Sequence, residues 1–147
     1  MNQKVLNRSF LLKKEDFKIE KVVLSSIEVE PEVKEGNKVV KEAVVEEQVV
    51  YVRQMTGREK DAFESSILKT SIDPVSKKQK VTRDLSSFRA KLAVCTVCDE
   101  TGVCILKPED AETLSVNMTG VTLDKIVEVA SRLNKISEED VEDLTKN

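Results

Sequence analysis

Three cysteines sit close together in CTVCDETGVC, at Cys95, Cys98 and Cys104. A Cys-x-x-Cys pair can turn two thiolates inward onto zinc. A structural zinc site has four ligands, however, and the chain contains no histidine, so Asp99 or a second chain would have to complete the set. Redox exchange between Cys95 and Cys98 needs a thioredoxin-like strand pattern or a cation that stabilises the thiolate, and neither is apparent in the sequence. Cys95 extends an apolar helical stripe, which makes a buried small hydrophobe the better reading. The odd count predicts free thiols in a reducing compartment.

Other chemistries have less to work with. There is no histidine for a general base and no phosphate-cradling glycine loop. With 27 carboxylates in 147 residues, chance acidic pairs are inevitable, and none stands apart from the general surface charge. We expect no enzyme activity and no cofactor. Residues 53 to 91 hold ten lysines or arginines against five acids, and KKQK could touch phosphates. That run reads as a loop, though, and the acidic C-terminal half would repel DNA, so nucleic-acid binding is an alternative rather than the leading reading.

Composition bounds the fold. The chain is long enough to bury one hydrophobic core, and with no Trp, one Tyr and four Phe that core must be mostly aliphatic. The net charge of −3 conceals a polarity: residues 99 to 147 carry twelve acids and five bases, leaving the first 98 residues at +4. Such a dipole suits ordered protein contact. No run of about 18 apolar residues occurs and the N-terminus lacks a signal-peptide pattern, so a cytoplasmic protein is expected.

The elements that must position these residues divide at residue 55. Upstream, FKIEKVVL alternates as an edge strand, Ile27 and Val29 continue the alternation to Pro31, and Gly36-Asn37 marks a turn. Residues 48 to 55 are the clearest strand, with Tyr51 and Arg53 on one face. Thr56-Gly57-Arg58-Glu59 has capping-box spacing and opens a helix with Phe63 and Ile67 on one stripe; Glu59 therefore reads as a cap, not a catalytic acid. That helix is expected to end near Thr70, and residues 71 to 81 to form a loop around Pro74. Leu85, Phe88, Leu92 and Cys95 predict a second helix beneath Arg89 and Lys91. Pro108 starts a short helix, Thr122 caps another carrying Leu123, Ile126, Val129, Ala130 and Leu133, and Asn134 is its expected left-handed terminator. Ser137 opens a last helix bearing Val141 and Leu144. The expectation is an α+β fold: a β-rich part, residues 1–55, followed by a compact helical part, residues 56–147.

QMTGREKDAFE at 54 to 64, FRAKL at 88 to 92, VCDETG at 97 to 102, LDKIVEVASRLN at 123 to 134 and SEEDVEDLTKN at 137 to 147 together resemble the tail assembly chaperones of long-tailed bacteriophages and prophages. The resemblance covers roughly residues 48–147. It implies a non-enzymatic factor in the bacterial host cytoplasm, absent from the mature virion. Such a factor binds the tape-measure protein, keeps its helical apolar segments soluble and helps bring tail-tube subunits to it. It also implies short and frameshift-extended forms, of which a chain ending at Asn147 would be the short one. The family pattern has an arginine at Lys60 and often a glycine at Lys135, so a forked contact becomes a point charge at the first position.

A helical client needs an apolar groove with charged edges. Phe63, Ile67, Leu85, Phe88 and Leu92 are candidates for its floor, and Arg53, Arg58, Arg89 and Lys91 for a rim that pairs with client carboxylates. Tyr51 is a further candidate contact. The competing reading is that both stripes pack the core, that Arg58 is solvated or paired internally, and that Tyr51 fills a strand face. A structural tail protein that self-assembles through the β-rich N-terminal arm is the remaining alternative, and the chaperone reading leaves room for an oligomer.

Overall fold

The computed structural model describes residues 2–136; the helix expected from Ser137, with Val141 and Leu144, lies outside them. The fold is α+β, with strands mostly in the first half and helices mostly in the second. In order the elements are α1 (Arg8–Leu11), β1 (Ile19–Glu30), β2 (Val33–Glu35), β3 (Lys38–Lys41), β4 (Val44–Arg53), α2 (Gly57–Ser66), β5 (Leu68–Ile72), β6 (Gln79–Arg83), α3 (Phe88–Thr96), β7 (Val97–Cys98), a 3₁₀ turn (Pro108–Asp110), α4 (Ala111–Asn117) and α5 (Gly120–Asn134).

β1, β4 and β7 form one antiparallel sheet with β4 in the middle. Its inner end is core: Val22 and Val52 are buried, and Val52 lies between Glu20 and Val97 in the ladder. Beyond a bulge between Val23 and Ser25 the β1–β4 ladder continues outward as far as Glu30 and Val44. There the small β2–β3 hairpin turns through Gly36, whose φ of 63° favours glycine. This outer arm is exposed on both faces. The register explains why, since Ile27 sits opposite Glu46 and Glu28 opposite Val45, so neither face collects an unbroken apolar row to bury.

The Thr56 capping box is formed. Thr56 Oγ1 accepts from the Glu59 amide at 3.1 Å, and Glu59 Oε1 accepts from the Thr56 amide at 2.9 Å. α2 stops at Ser66 rather than near Thr70, and residues 71 to 81 are not a simple loop. β5 pairs antiparallel with β6, from Leu68 opposite Arg83 to Ile72 opposite Gln79. The β-branched Thr70, Ile72, Val81 and Thr82 favour pairing over helix. Asp73 fastens the turn, its carboxylate accepting from the Val75 and Ser76 amides. Three strands thus lie beyond residue 55, one of them, β7, pairs back onto β4, and the core is shared across the division.

α3 is the central helix. Beyond the expected stripe it also buries Ala90, Ala93 and Val94, because α2, α4 and α5 all pack on it. Two further corrections concern α5. Its cap is Thr119, whose hydroxyl accepts from the Thr122 amide at 3.2 Å, so Thr122 lies inside the first turn. Lys135, with φ 53°, is the left-handed residue, while Asn134 stays helical and turns inward.

Candidate functional site

Four of the five apolar candidates are core residues. Phe63, Ile67, Phe88 and Leu92 are each 4% exposed or less, and the Phe63 and Phe88 rings meet edge to face at 5.4 Å. The α2 and α3 stripes satisfy one another, so they line no groove. Leu85, half-buried, packs on the same cluster.

Arg53 is not a rim residue either. It is 6% exposed, and its guanidinium is the hub that joins β4, α2 and the Cys98–Cys104 bridge. Nη2 pairs with Glu59 Oε2 at 2.7 Å and donates to Cys104 Sγ at 3.0 Å; Nη1 donates to the Gln54 carbonyl at 3.0 Å. Phe17 lies over its face at 4.6 Å. Burial alone would lower the Arg53 pKa, but the Cys104 sulfur and the Glu59 carboxylate hold it above its ordinary value. Burial alone would raise Glu59, yet the Thr56 amide and the Arg53 charge carry it below the usual carboxylate value. Of the other candidates, Tyr51 is half-buried opposite Cys98. Arg89 pairs with Asp124 of α5 at 2.6 Å, Lys91 donates to the Ser66 carbonyl, and Arg58 alone among the ten candidates is exposed.

The cysteines are arranged differently from the Cys-x-x-Cys reading. Cys98 faces Cys104 across an isolated antiparallel bridge. The flanking bonds, Asp99 N–H to Val103 O and Ile105 N–H to Val97 O, make theirs a non-hydrogen-bonded pair, the closer of the two antiparallel arrangements. A cation is present after all, since Arg53 reaches Cys104 from a strand 51 residues away in sequence. Burial pushes the Cys95 thiol up to about 11 and also raises Cys98, which disfavours thiolate chemistry at either. Among the described residues no three Cys, Asp or Glu side chains gather as a metal site.

The concave surface is elsewhere. An open cleft of about 530 Å³ lies where the segment before β1, the Gln54–Gly57 turn and the end of α5 meet. Half-buried Phe17, Met55 and Leu133 supply its apolar surface, and Lys14, Lys60 and Lys135 its cations, with Glu15 and Asp16 also lining it. Asn134 closes the bottom by stitching α5 to β4. Its Oδ1 accepts from the Met55 amide at 2.6 Å, and its Nδ2 donates to the Arg53 carbonyl at 3.3 Å and to the Ala130 carbonyl at 2.9 Å. Gln54 adds a bond from Nε2 to the Leu133 carbonyl at 3.2 Å and accepts the Lys18 amide at 3.0 Å. A second cleft, of about 490 Å³, continues past Gln54, Leu133 and Lys135 toward Ile19 and Arg132.

The expected contact residues missed this surface, although its parts were in view. Met55 and Lys60 belong to the QMTGREK segment, and Leu133 and Lys135 bracket the last residues of LDKIVEVASRLN. Periodicity within single helices could not show that these two segments meet. Comparison with family models, with curated proteins and with solved structures gives no match.

Proposed function

We propose that this chain is a phage tail assembly chaperone that binds helical segments of the tape-measure protein in the host cytoplasm and helps bring tail-tube subunits to them. The observation that carries the reading is the cleft between the Gln54–Gly57 turn and the Leu133–Lys135 end of α5. Two separate segments of the resemblance converge there. An apolar surface edged by three lysines suits the apolar face of an amphipathic helix with carboxylates along its margins. Binding there leaves the chain's own core undisturbed, as a client that must later be released requires.

The test is coexpression with the longest helical protein encoded beside this chain, followed by pulldown and size-exclusion light scattering. A complex that keeps the client soluble is expected for the wild type, and for Arg58→Ala and Arg89→Ala if the cleft is the seat. Met55→Glu and the double variant Lys60→Glu/Lys135→Glu should each weaken it by about tenfold or more, since a buried or opposed like charge costs upward of 1.4 kcal/mol. No complex, with client solubility unchanged, overturns the chaperone reading. A complex indifferent to the cleft variants but lost with Arg58→Ala relocates the contact to α2.

A further inference from the structure

Two β-hairpins leave the core and remain exposed, and they have opposite charge. The arm around β1–β4, from Glu28 to Glu47, has seven glutamates and three lysines, a net of −4. The β5–β6 hairpin, from Leu68 to Arg83, has five basic residues and one aspartate, a net of +4. β1 is an edge strand, and β5–β6 is a separate two-stranded sheet with both outer edges unpaired among the described residues. Exposed edges of this kind are templates for pairing with another chain.

The registers make the two compatible as neighbours in one sheet. On the hairpin, Leu68, Thr70 and Ile72 share a face with Arg83, Val81 and Gln79, and Lys69, Ser71, Lys80 and Thr82 share the other. Leu68, Ile72 and Val81 are at least half exposed. On the arm, Ile27 lies on one face with Glu46, while Glu28 and Glu47 lie on the other with Ser26 and Val45. Set edge to edge, the apolar hairpin face continues the Ile27 face, and Lys69 and Lys80 fall on the side of Glu28 and Glu47. The stretch of β1 beyond the bulge, Ser25–Glu30, is one residue longer than the five-residue hairpin strands and carries a second irregularity between Glu28 and Glu30.

We infer that the β5–β6 hairpin of one molecule pairs with the edge of the β1–β4 arm of a second copy. A nucleic acid would satisfy the lysines but not the acidic arm, whereas a second copy satisfies both. Because the two surfaces differ, the contact is heterologous: a joined pair keeps one free arm and one free hairpin between its two molecules, and the chain of contacts closes into a ring or continues as a filament. This goes beyond client binding and needs no client.

The experiment is sedimentation velocity on the purified full chain at several concentrations, at about 0.1 M and about 1 M salt, where screening shortens from ~10 to ~3 Å. Wild type should exceed the 16.5 kDa monomer mass at the lower salt and dissociate at the higher. Lys69→Glu/Lys80→Glu and Glu28→Lys/Glu47→Lys should each weaken association about a hundredfold, with circular dichroism showing retained fold. An equimolar mixture of the two variants restores complementarity at both contacts, and so does one chain carrying all four changes; both should reassociate. A wild type that stays monomeric overturns the inference, as does association insensitive to the reversals or not recovered by the fourfold swap. A monomer that binds duplex DNA with steep salt dependence overturns it in favour of a phosphate-binding hairpin. A client complex formed by monomeric chains would leave the chaperone reading standing while this one falls.

Discussion

Asn134→Ala is the most informative single perturbation of the fold, because one amide there holds three backbone groups. Asn134 is 8% exposed, and its side chain joins α5 to the end of β4 through the Met55 amide and the Arg53 carbonyl. The Ala130 carbonyl keeps its place in the helix when the side-chain donor goes, so that loss is small. The Met55 N–H and Arg53 C=O are left without this partner, and each such group costs about 1–3 kcal/mol when buried. Met55 borders the cleft, where water can reach it, which places the total near the lower half of the range, about 2–4 kcal/mol. For a chain of this size that corresponds to a melting temperature lower by roughly 5–15 °C. Urea unfolding followed by circular dichroism measures it directly. Asn134→Asp supplies a control: it keeps the acceptor for Met55 but sets a carboxylate against two carbonyl oxygens, so it should be worse than alanine at neutral pH and recover as the carboxyl protonates in acid. If alanine costs less than about 0.5 kcal/mol, within the range of ordinary surface changes, Asn134 is not the stitch between α5 and β4.

Acid should loosen the α2 start. Glu59 has a folded-state value below its ordinary 4.5, so its contribution is complete above that value and is lost as pH falls through the depressed one; Arg53→Met should make acid unfolding less steep by removing part of the depression, and an unchanged profile would deny the pair that role. Thiol oxidation should select an unexpected pair: diamide, itself reduced to the hydrazine, should take two hydrogens from Cys98 and Cys104 and join their sulfurs, visible by peptide mapping, whereas a Cys95–Cys98 link would contradict the bridge register. Thr56→Ala should destabilise by about 1 kcal/mol through loss of the cap, and a neutral result in thermal melts would show that Glu59 alone fastens the helix start.

Local chemistry was legible where it is self-contained. The capping box at Thr56 and Glu59, the turn at Gly36-Asn37 and the strand through Tyr51 and Val52 depend on neighbours a few residues away, and each is present. The β5–β6 hairpin was not legible, because its lysines and Pro74 look like loop chemistry and the pairing that overrides them spans separations of up to fifteen residues, from Leu68 to Arg83. Thr122 reads as a cap because it stands just before Leu123, where the apolar face begins, and only the hydrogen bond identifies Thr119 as the acceptor. The candidate surface suffered most. Phe63, Ile67, Phe88 and Leu92 have the spacing of a binding stripe and of a packed one alike, and periodicity does not say what covers a face. Arg53 reads as an exposed strand cation until Glu59, Phe17 and Cys104 are seen to enclose it.

β4 is a single strand with two environments. Val52 is fully buried within a three-stranded ladder, while Val45, seven residues earlier in the same strand, is 57% exposed in a two-stranded one. Amide protons along it should therefore exchange on a graded clock, slowest at the core end and progressively faster toward the tip, although the hydrogen-bond ladder continues between them. The same backbone thus anchors at one end and samples open states at the other, so the arm can be captured or released by a neighbour without any part of the core having to unfold.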